Sequence, residues 1–203
     1  MNLLVADIGG TNARFGFQKN VNSKIEYIEF LKCRDYSNID DAIDFYINNN
    51  KLKIDNMVLS VAGPCGKNIV KLTNNSWIFN KIDLSKKFKV KSFLAVNDFV
   101  AQAISFTDFF ISKKTNYSKE FLNQFNLKLI KKGNTLKNSN LLVTGPGTGL
   151  GVCTLTSFNN SLIPIEGEGG NVNFSPQSKI EIELLEFLLK EKIYVSFEDL
   201  VSG

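Results

Sequence analysis

With 203 residues, 43% of them hydrophobic and 22% charged, the chain can bury one large core or two small ones. Its net charge of +4 comes from lysines spread through Lys86 to Lys91, Lys113 to Lys119 and Lys128 to Lys137. These runs lack interleaved aromatic pairs, so they read as solvated faces and not as a nucleic-acid surface. Histidine is absent, which excludes Ser-His and Cys-His nucleophile pairs and histidine-zinc sites and leaves carboxylates as the acid and base groups.

Cys33, Cys65 and Cys153 are far apart and odd in number, without CxxC spacing, so they are expected to be reduced and structural. The opening MNLLVADIGG has no basic n-region and carries Asp7 inside its apolar stretch, unlike a secretory signal. No apolar run approaches membrane-spanning length. The expected location is the cytoplasm, with no membrane partner.

In chain order, Leu3 to Ile8 reads as a strand, Gly9-Gly10 as a turn and Arg14 to Phe17 as a second strand, so the chain opens with a hairpin. The segment Asp7-Ile8-Gly9-Gly10-Thr11-Asn12 places a carboxylate at a strand end beside glycines that let backbone N–H groups approach a ligand. Such a turn can cradle a phosphate. No Lys-Ser/Thr follows, as it would in a Walker A loop, so neutralising the phosphate charge calls for Mg²⁺ near Asp7. A Gly-Gly hairpin with a capped turn is the plain alternative for the same residues.

A third strand around Tyr27 to Leu31 precedes a helix in which Ile39, Ala42, Ile43, Tyr46 and Ile47 recur at helical spacing behind Asp40 and Asp41. Met57 to Val61 and Ser92 to Val96 read as further strands and Phe99 to Ser105 as a helix, an α/β pattern. Asn97-Asp98 falls at the strand-to-helix junction. Both residue types are favoured N-caps. A helix N-terminus also stabilises negative charge, which keeps Asp98 ionised near neutrality and able to accept a proton from a bound hydroxyl.

Thr107 to Asn140 is polar and weakly periodic and reads as a connection, with a domain boundary placed at 108/109. Leu141 to Thr144, Gly151 to Thr156 and Leu162 to Ile165 follow as strands, and Ile180 to Leu189 as a helix with Ile180, Leu184, Phe187 and Leu188 in register. Between the first two strands lies Gly145-Pro146-Gly147-Thr148-Gly149-Leu150-Gly151, a second turn that exposes N–H groups and a hydroxyl. Two such turns, one per domain, suit a triphosphate gripped from two sides. After the third strand, Glu166-Gly167-Glu168-Gly169-Gly170-Asn171 offers carboxylate acceptors and an amide on a flexible turn, a composition suited to sugar hydroxyls or to a solvent loop. Glu198, in Ser196-Phe197-Glu198-Asp199, reads by itself as a first-turn helix acid behind a Ser cap.

Taken together, DIGGTNARFGF, LTNNSW, VNDF, TGPGTGLG, EGEGGNVNF and SFEDLVSG resemble, in that order, the bacterial glucokinase family within the superfamily of hexokinases, Hsp70 chaperones and actin. The resemblance implies an α/β fold of two RNase H-like (actin-like ATPase) domains flanking a cleft, residues 1–108 and 109–203, the second incomplete. It implies ATP-dependent phosphorylation of glucose at the 6-hydroxyl, with ATP and Mg²⁺ as cofactors and a homodimeric assembly. Asp98 would be the base, and Asn97, Asp98, Glu168, Asn171 and Glu198 would hold the sugar. Asp7, Gly9, Gly10, Thr11, Asn12, Gly147, Thr148 and Gly149 would hold the nucleotide, with Asp7 near the metal.

Two departures leave other readings open. Asn171 stands where the family usually carries a sugar-contacting histidine, and Asn173 replaces a usual acid. The family also continues beyond the Ser-Gly that corresponds to Ser202-Gly203, through an adenosine-binding segment. A truncated, inactive sugar-binding or regulatory remnant and a kinase for another hexose therefore stand beside glucokinase.

Overall fold

In the computed structural model, which describes residues 1–107, 123, 126–131, 139–159 and 161–203, the opening hairpin is built from β1 (Leu3–Ile8) and β2 (Asn12–Gln18). They pair antiparallel with Asp7 opposite Arg14. β3 (Glu26–Lys32) extends the hairpin on one side, and β4 (Asn56–Val61) and β7 (Ser92–Asn97) extend it on the other. The sheet order is β3-β2-β1-β4-β7, antiparallel across the first three strands and parallel from β1 through β4 to β7.

The helix α1 (Ile39–Asn49) starts where the Asn38 side chain accepts the N–H of Asp41 at 2.9 Å, with Asp40 and Asp41 suitably placed in its first turn. Ile39, Ala42, Ile43 and Tyr46 face the sheet and are fully buried among Leu4, Ile8, Phe15, Met57, Leu59 and Val61. Each large apolar side chain so buried contributes about 1.5–3 kcal/mol. Tyr46 stacks on Phe15 with ring centroids 5.1 Å apart, and its hydroxyl donates to the carbonyl of Tyr27 at 2.8 Å. Tyr27 takes a left-handed φ of 52°, beside a register shift between β2 and β3. The bulge thus turns a carbonyl to the one polar group of the buried tyrosine.

Between β4 and β7 runs a segment that the sequence pattern does not reveal: the short hairpin β5 (Ile69–Lys71) and β6 (Ile78–Asn80), then α2 (Lys81–Lys87) capped by Asn80. Lys87 at the end of α2 pairs with Asp44 at 2.8 Å and Asp40 at 3.3 Å, so this member of the first lysine run ties α2 to α1. α3 (Asp98–Ser105) follows β7 directly.

The chain divides into two compact units, Met1–Ala101 and Gln102–Gly203. The second contains an antiparallel sheet ordered β10-β9-β8, from β8 (Leu141–Pro146), β9 (Leu150–Phe158) and β10 (Ser161–Gly167). It also holds α4 (Lys179–Leu188), with a Ser178–Glu181 capping box, and α5 (Glu198–Val201). The apolar spacing expected for α4 is present, but the helix buries none of its residues; Ile180 is 74% and Phe187 62% exposed. The described part of this unit offers no layer against that stripe. Most of the connection read between Thr107 and Asn140, including the lysine run Lys113 to Lys119, lies outside the described residues. All three cysteines are buried, and none is in a disulfide. Among the described residues no helix is long and apolar enough to cross a membrane.

Candidate active site

The parallel strands of the first unit end together. Their register sets Asp7 beside Ser60 and Ser60 beside Val96, with Ile8, Val61 and Asn97 one step further on. Asp7 is held from two sides: Arg14 Nη1 donates to Oδ2 at 2.7 Å and Ser60 Oγ to Oδ1 at 3.3 Å. The Arg14 guanidinium also lies over the Phe30 ring at 5.8 Å.

The turn after Asp7 is shaped by where its carbonyls go. The Gly9 carbonyl accepts from Cys33 Sγ (3.5 Å), that of Gly10 from Asn75 Nδ2 (3.1 Å) and that of Thr11 from Cys33 N (2.9 Å), while Gly9 N–H closes on the Asn12 carbonyl (2.9 Å). All peptide bonds are trans among the described residues. The N–H across each peptide points opposite to its carbonyl, so the Gly10 and Thr11 N–H groups turn away from these partners. Two successive N–H groups turned away from the acceptors of the turn are what a phosphate bound here would require. A Cβ at position 10 would lie 2.8 Å from the Asn74 carbonyl oxygen, so glycine there is dictated by packing of the Asn74-Asn75 loop.

At the end of β7, Asn97 caps α3. Its Oδ1 accepts from Phe99 N (2.9 Å) and Val100 N (3.3 Å), and its Nδ2 donates to the Gly63 carbonyl (3.4 Å). The capping role foreseen for this dipeptide thus falls to Asn97. Asp98, half-buried, accepts the Phe99 N–H at 3.0 Å. Its pKa lies above the ordinary carboxylate value: burial raises it most, the Phe99 N–H draws it down, and the negative charge of Asp7 raises it further. The helix N-terminus alone gives the opposite direction, so the sequence expectation of a charge-stabilised Asp98 is corrected by desolvation.

In the second unit the turn between β8 and β9 closes with Gly147 N–H on the Gly149 carbonyl (2.8 Å), and Gly203 N–H donates to the Gly147 carbonyl (2.8 Å). Thr148 is exposed at its tip. Glu198 reaches the base of the turn, where its Oε2 accepts the Leu150 N–H at 2.7 Å. After β10, Gly169–Asn171 forms a short 3₁₀ turn with Gly170 buried; Glu168 and Asn171 are exposed. Antiparallel contacts, Phe174 N to Val195 O (2.8 Å) and Phe197 N to Val172 O (3.0 Å), join this loop to the segment leading into α5. The expected Ser cap is present and reciprocal: Ser196 Oγ accepts Asp199 N–H (3.3 Å) while Asp199 Oδ2 accepts from Ser196 N (2.8 Å). Lys192 clamps the same carboxylate, and these partners, Lys192 first, lower the Asp199 pKa to about 2.

One edge of the first unit therefore gathers Asp7, Gly9, Gly10, Thr11, Asn12, Asn97 and Asp98, and one end of the second gathers Gly147, Thr148, Gly149, Glu168, Asn171 and Glu198. Sequence reasoning missed Arg14, Ser60, Gly63 and Asn75. Arg14 alone was within reach, as the opposite charge directly across the hairpin from Asp7. Among the described residues no group of three or more acidic or cysteine side chains could hold a metal ion unaided. Asp7 offers a single carboxylate, the donor type of a Mg²⁺ site that substrate phosphates and water complete.

Comparison with solved proteins places the architecture. The chain matches, over its whole length, a glucokinase from an Antarctic psychrotroph (TM-score 0.75, 32% identity, 61% of that chain). It also matches, over its whole length, the Balamuthia mandrillaris glucokinase solved in complex with glucose (TM-score 0.72, 21% identity, 59% of that chain). The fold is that of the actin-like ATPase sugar kinases. A family profile described as Glucokinase matches residues 4–203, and the chain belongs to the glucokinase family. It is 34% identical over 201 residues to the glucokinase of Hahella chejuensis, a match that takes in 98% of this chain and 58% of that relative. The chain thus spans under two thirds of the length of the curated relatives it matches.

Proposed function

We propose that this protein phosphorylates glucose at the 6-hydroxyl, with ATP as donor, giving glucose 6-phosphate and ADP. The observation that carries the reading is the half-buried, base-strengthened carboxylate of Asp98 on the sheet edge that also carries Asp7 and the first glycine turn, in a chain of the glucokinase family. The Gly10 and Thr11 N–H groups of the first turn and the Thr148 and Gly149 N–H groups of the second are offered to the phosphates, while the Gly9 and Gly147 N–H groups close the turns internally. Asp7 would hold Mg²⁺, which would supply positive charge against the phosphates. Asn97, Glu168, Asn171 and Glu198 hold the sugar hydroxyls by carboxylate and amide hydrogen bonds. The 6-oxygen forms a bond to the γ-phosphorus as the bond from that phosphorus to the bridging oxygen of ADP breaks, and Asp98 takes the hydroxyl proton. Positioning and electrostatics carry most of the acceleration. The same reading assigns the domains as 1–108 and 109–203 and puts a homodimer in the cytoplasm.

The test is product identity. Incubation with Mg-ATP and glucose, followed by phosphorus NMR, is expected to give glucose 6-phosphate and ADP in equal amounts. Release of inorganic phosphate without sugar phosphate would refute the reading.

A further inference from the structure

Glu198 lies where the two functional loops of the second unit meet. Its Oε2 accepts the Leu150 N–H at 2.7 Å, immediately after the glycine turn. The same oxygen would be 2.7 Å from a Cβ on Gly149 and 3.2 Å from one on Gly170, so a glycine on each loop makes room for one carboxylate. A Cβ on Gly170 would also collide with the Leu150 carbonyl, so the two loops touch at the residue whose N–H Glu198 holds. The glutamate itself is fixed at the start of α5 by the Ser196–Asp199 box and Lys192. Among the described residues only Oε2 of its carboxylate takes a hydrogen bond.

We infer that Glu198 is a positioning residue for the phosphate turn as well as a sugar ligand: Oε2 braces the Leu150 N–H and so sets the shape of Gly147 to Gly149, while Oε1 is offered to a sugar hydroxyl. One carboxylate then links sugar occupancy to the nucleotide turn. A bond from an ionised acceptor to a backbone N–H is the stronger kind, which suits a brace. The sugar half of the inference rests on the function proposed above; the brace does not.

The test separates the two halves in sugar-free protein. Amide hydrogen exchange at Leu150 and the Kd for ATP are measured for the full chain, Glu198→Ala and Glu198→Gln, with Leu155 in the middle of β9 as the control for folding. Loss of the brace is expected to speed Leu150 exchange at least about tenfold in Glu198→Ala and to weaken ATP about fivefold, with Leu155 unchanged. Glu198→Gln, whose neutral amide oxygen still accepts the N–H but more weakly, should restore part of both while leaving glucose binding impaired. Unchanged Leu150 exchange in Glu198→Ala, equal loss of protection at Leu155, or no rescue by glutamine would overturn the inference. Failure of the unaltered chain to bind ATP would count against the proposed function, and Leu150 exchange would still decide the brace.

Discussion

Two opposing influences meet on Asp98. The Phe99 N–H favours its anion, and burial together with the charge of Asp7 disfavours it; burial wins. The folded protein therefore binds the Asp98 proton more tightly than the unfolded chain, so this group's contribution to stability falls as pH rises through its folded pKa. Asp98→Asn is expected to melt at or above the temperature of the unaltered protein at pH 7 and to lose the fall in stability with rising pH that this carboxyl contributes, readable by calorimetry over a pH series that starts at the ordinary carboxylate value of 3.8. Asp199 works in the other sense. Its folded pKa of about 2 lies below the ordinary value of 3.8, so the support it gives α5 is complete above pH 4 and is lost as pH falls towards 2. Amide exchange at Ser196 and Asp199 should rise over that window. Asn171 is exposed on the loop after β10, and if its amide holds a sugar hydroxyl as proposed, Asn171→Ala should weaken glucose about fivefold, the worth of one neutral hydrogen bond, measured by titration calorimetry.

At the scale of elements, the hydrogen bond from Tyr46 on α1 to the bulged Tyr27 carbonyl on β3 joins helix to edge strand. Tyr46→Phe removes the donor and is expected to cost about 1 kcal/mol in urea unfolding, followed by the fluorescence of Trp77, the single tryptophan and a buried residue of the first unit. The principal strands and helices here were legible because hydrophobic period and glycine punctuation are local properties: Ile39, Ala42, Ile43 and Tyr46 lie on the buried face of α1, as their spacing implies. The β5–β6 hairpin was not legible. Three-residue strands carry too few alternations to register, and their pairing is fixed by packing of Trp77 and Leu72 against the core. The site shows the same division. The turn residues and Asn97-Asp98 announce themselves by type and place, whereas Asn75 reaches the Gly10 carbonyl from 65 residues away and Leu150 meets Glu198 across 48, contacts set by tertiary packing alone.

At the scale of the whole molecule, the units differ in what they bury. The first encloses a continuous core from Leu4 to Ala95, while the described part of the second fully covers little beyond Ala103, Cys153, Leu155 and Val195 and leaves Leu142, Ile180 and Phe187 largely exposed. Exposed apolar surface of this extent marks either a docking face or an aggregation hazard. The 203-residue chain is expected to bind a hydrophobic dye strongly, and Phe187→Glu should reduce that signal without moving the Trp77 unfolding midpoint. A shift of both together would contradict a purely surface role for Phe187.

The proposed role of Asp98 as the base of a glucose phosphotransfer is read from glucose-dependent ADP release with Mg-ATP by the unaltered protein and by Asp98→Asn. Turnover is expected to fall at least about a hundredfold in Asp98→Asn, the usual contribution of a positioned base, while glucose still binds. Equal turnover in the two proteins would contradict it.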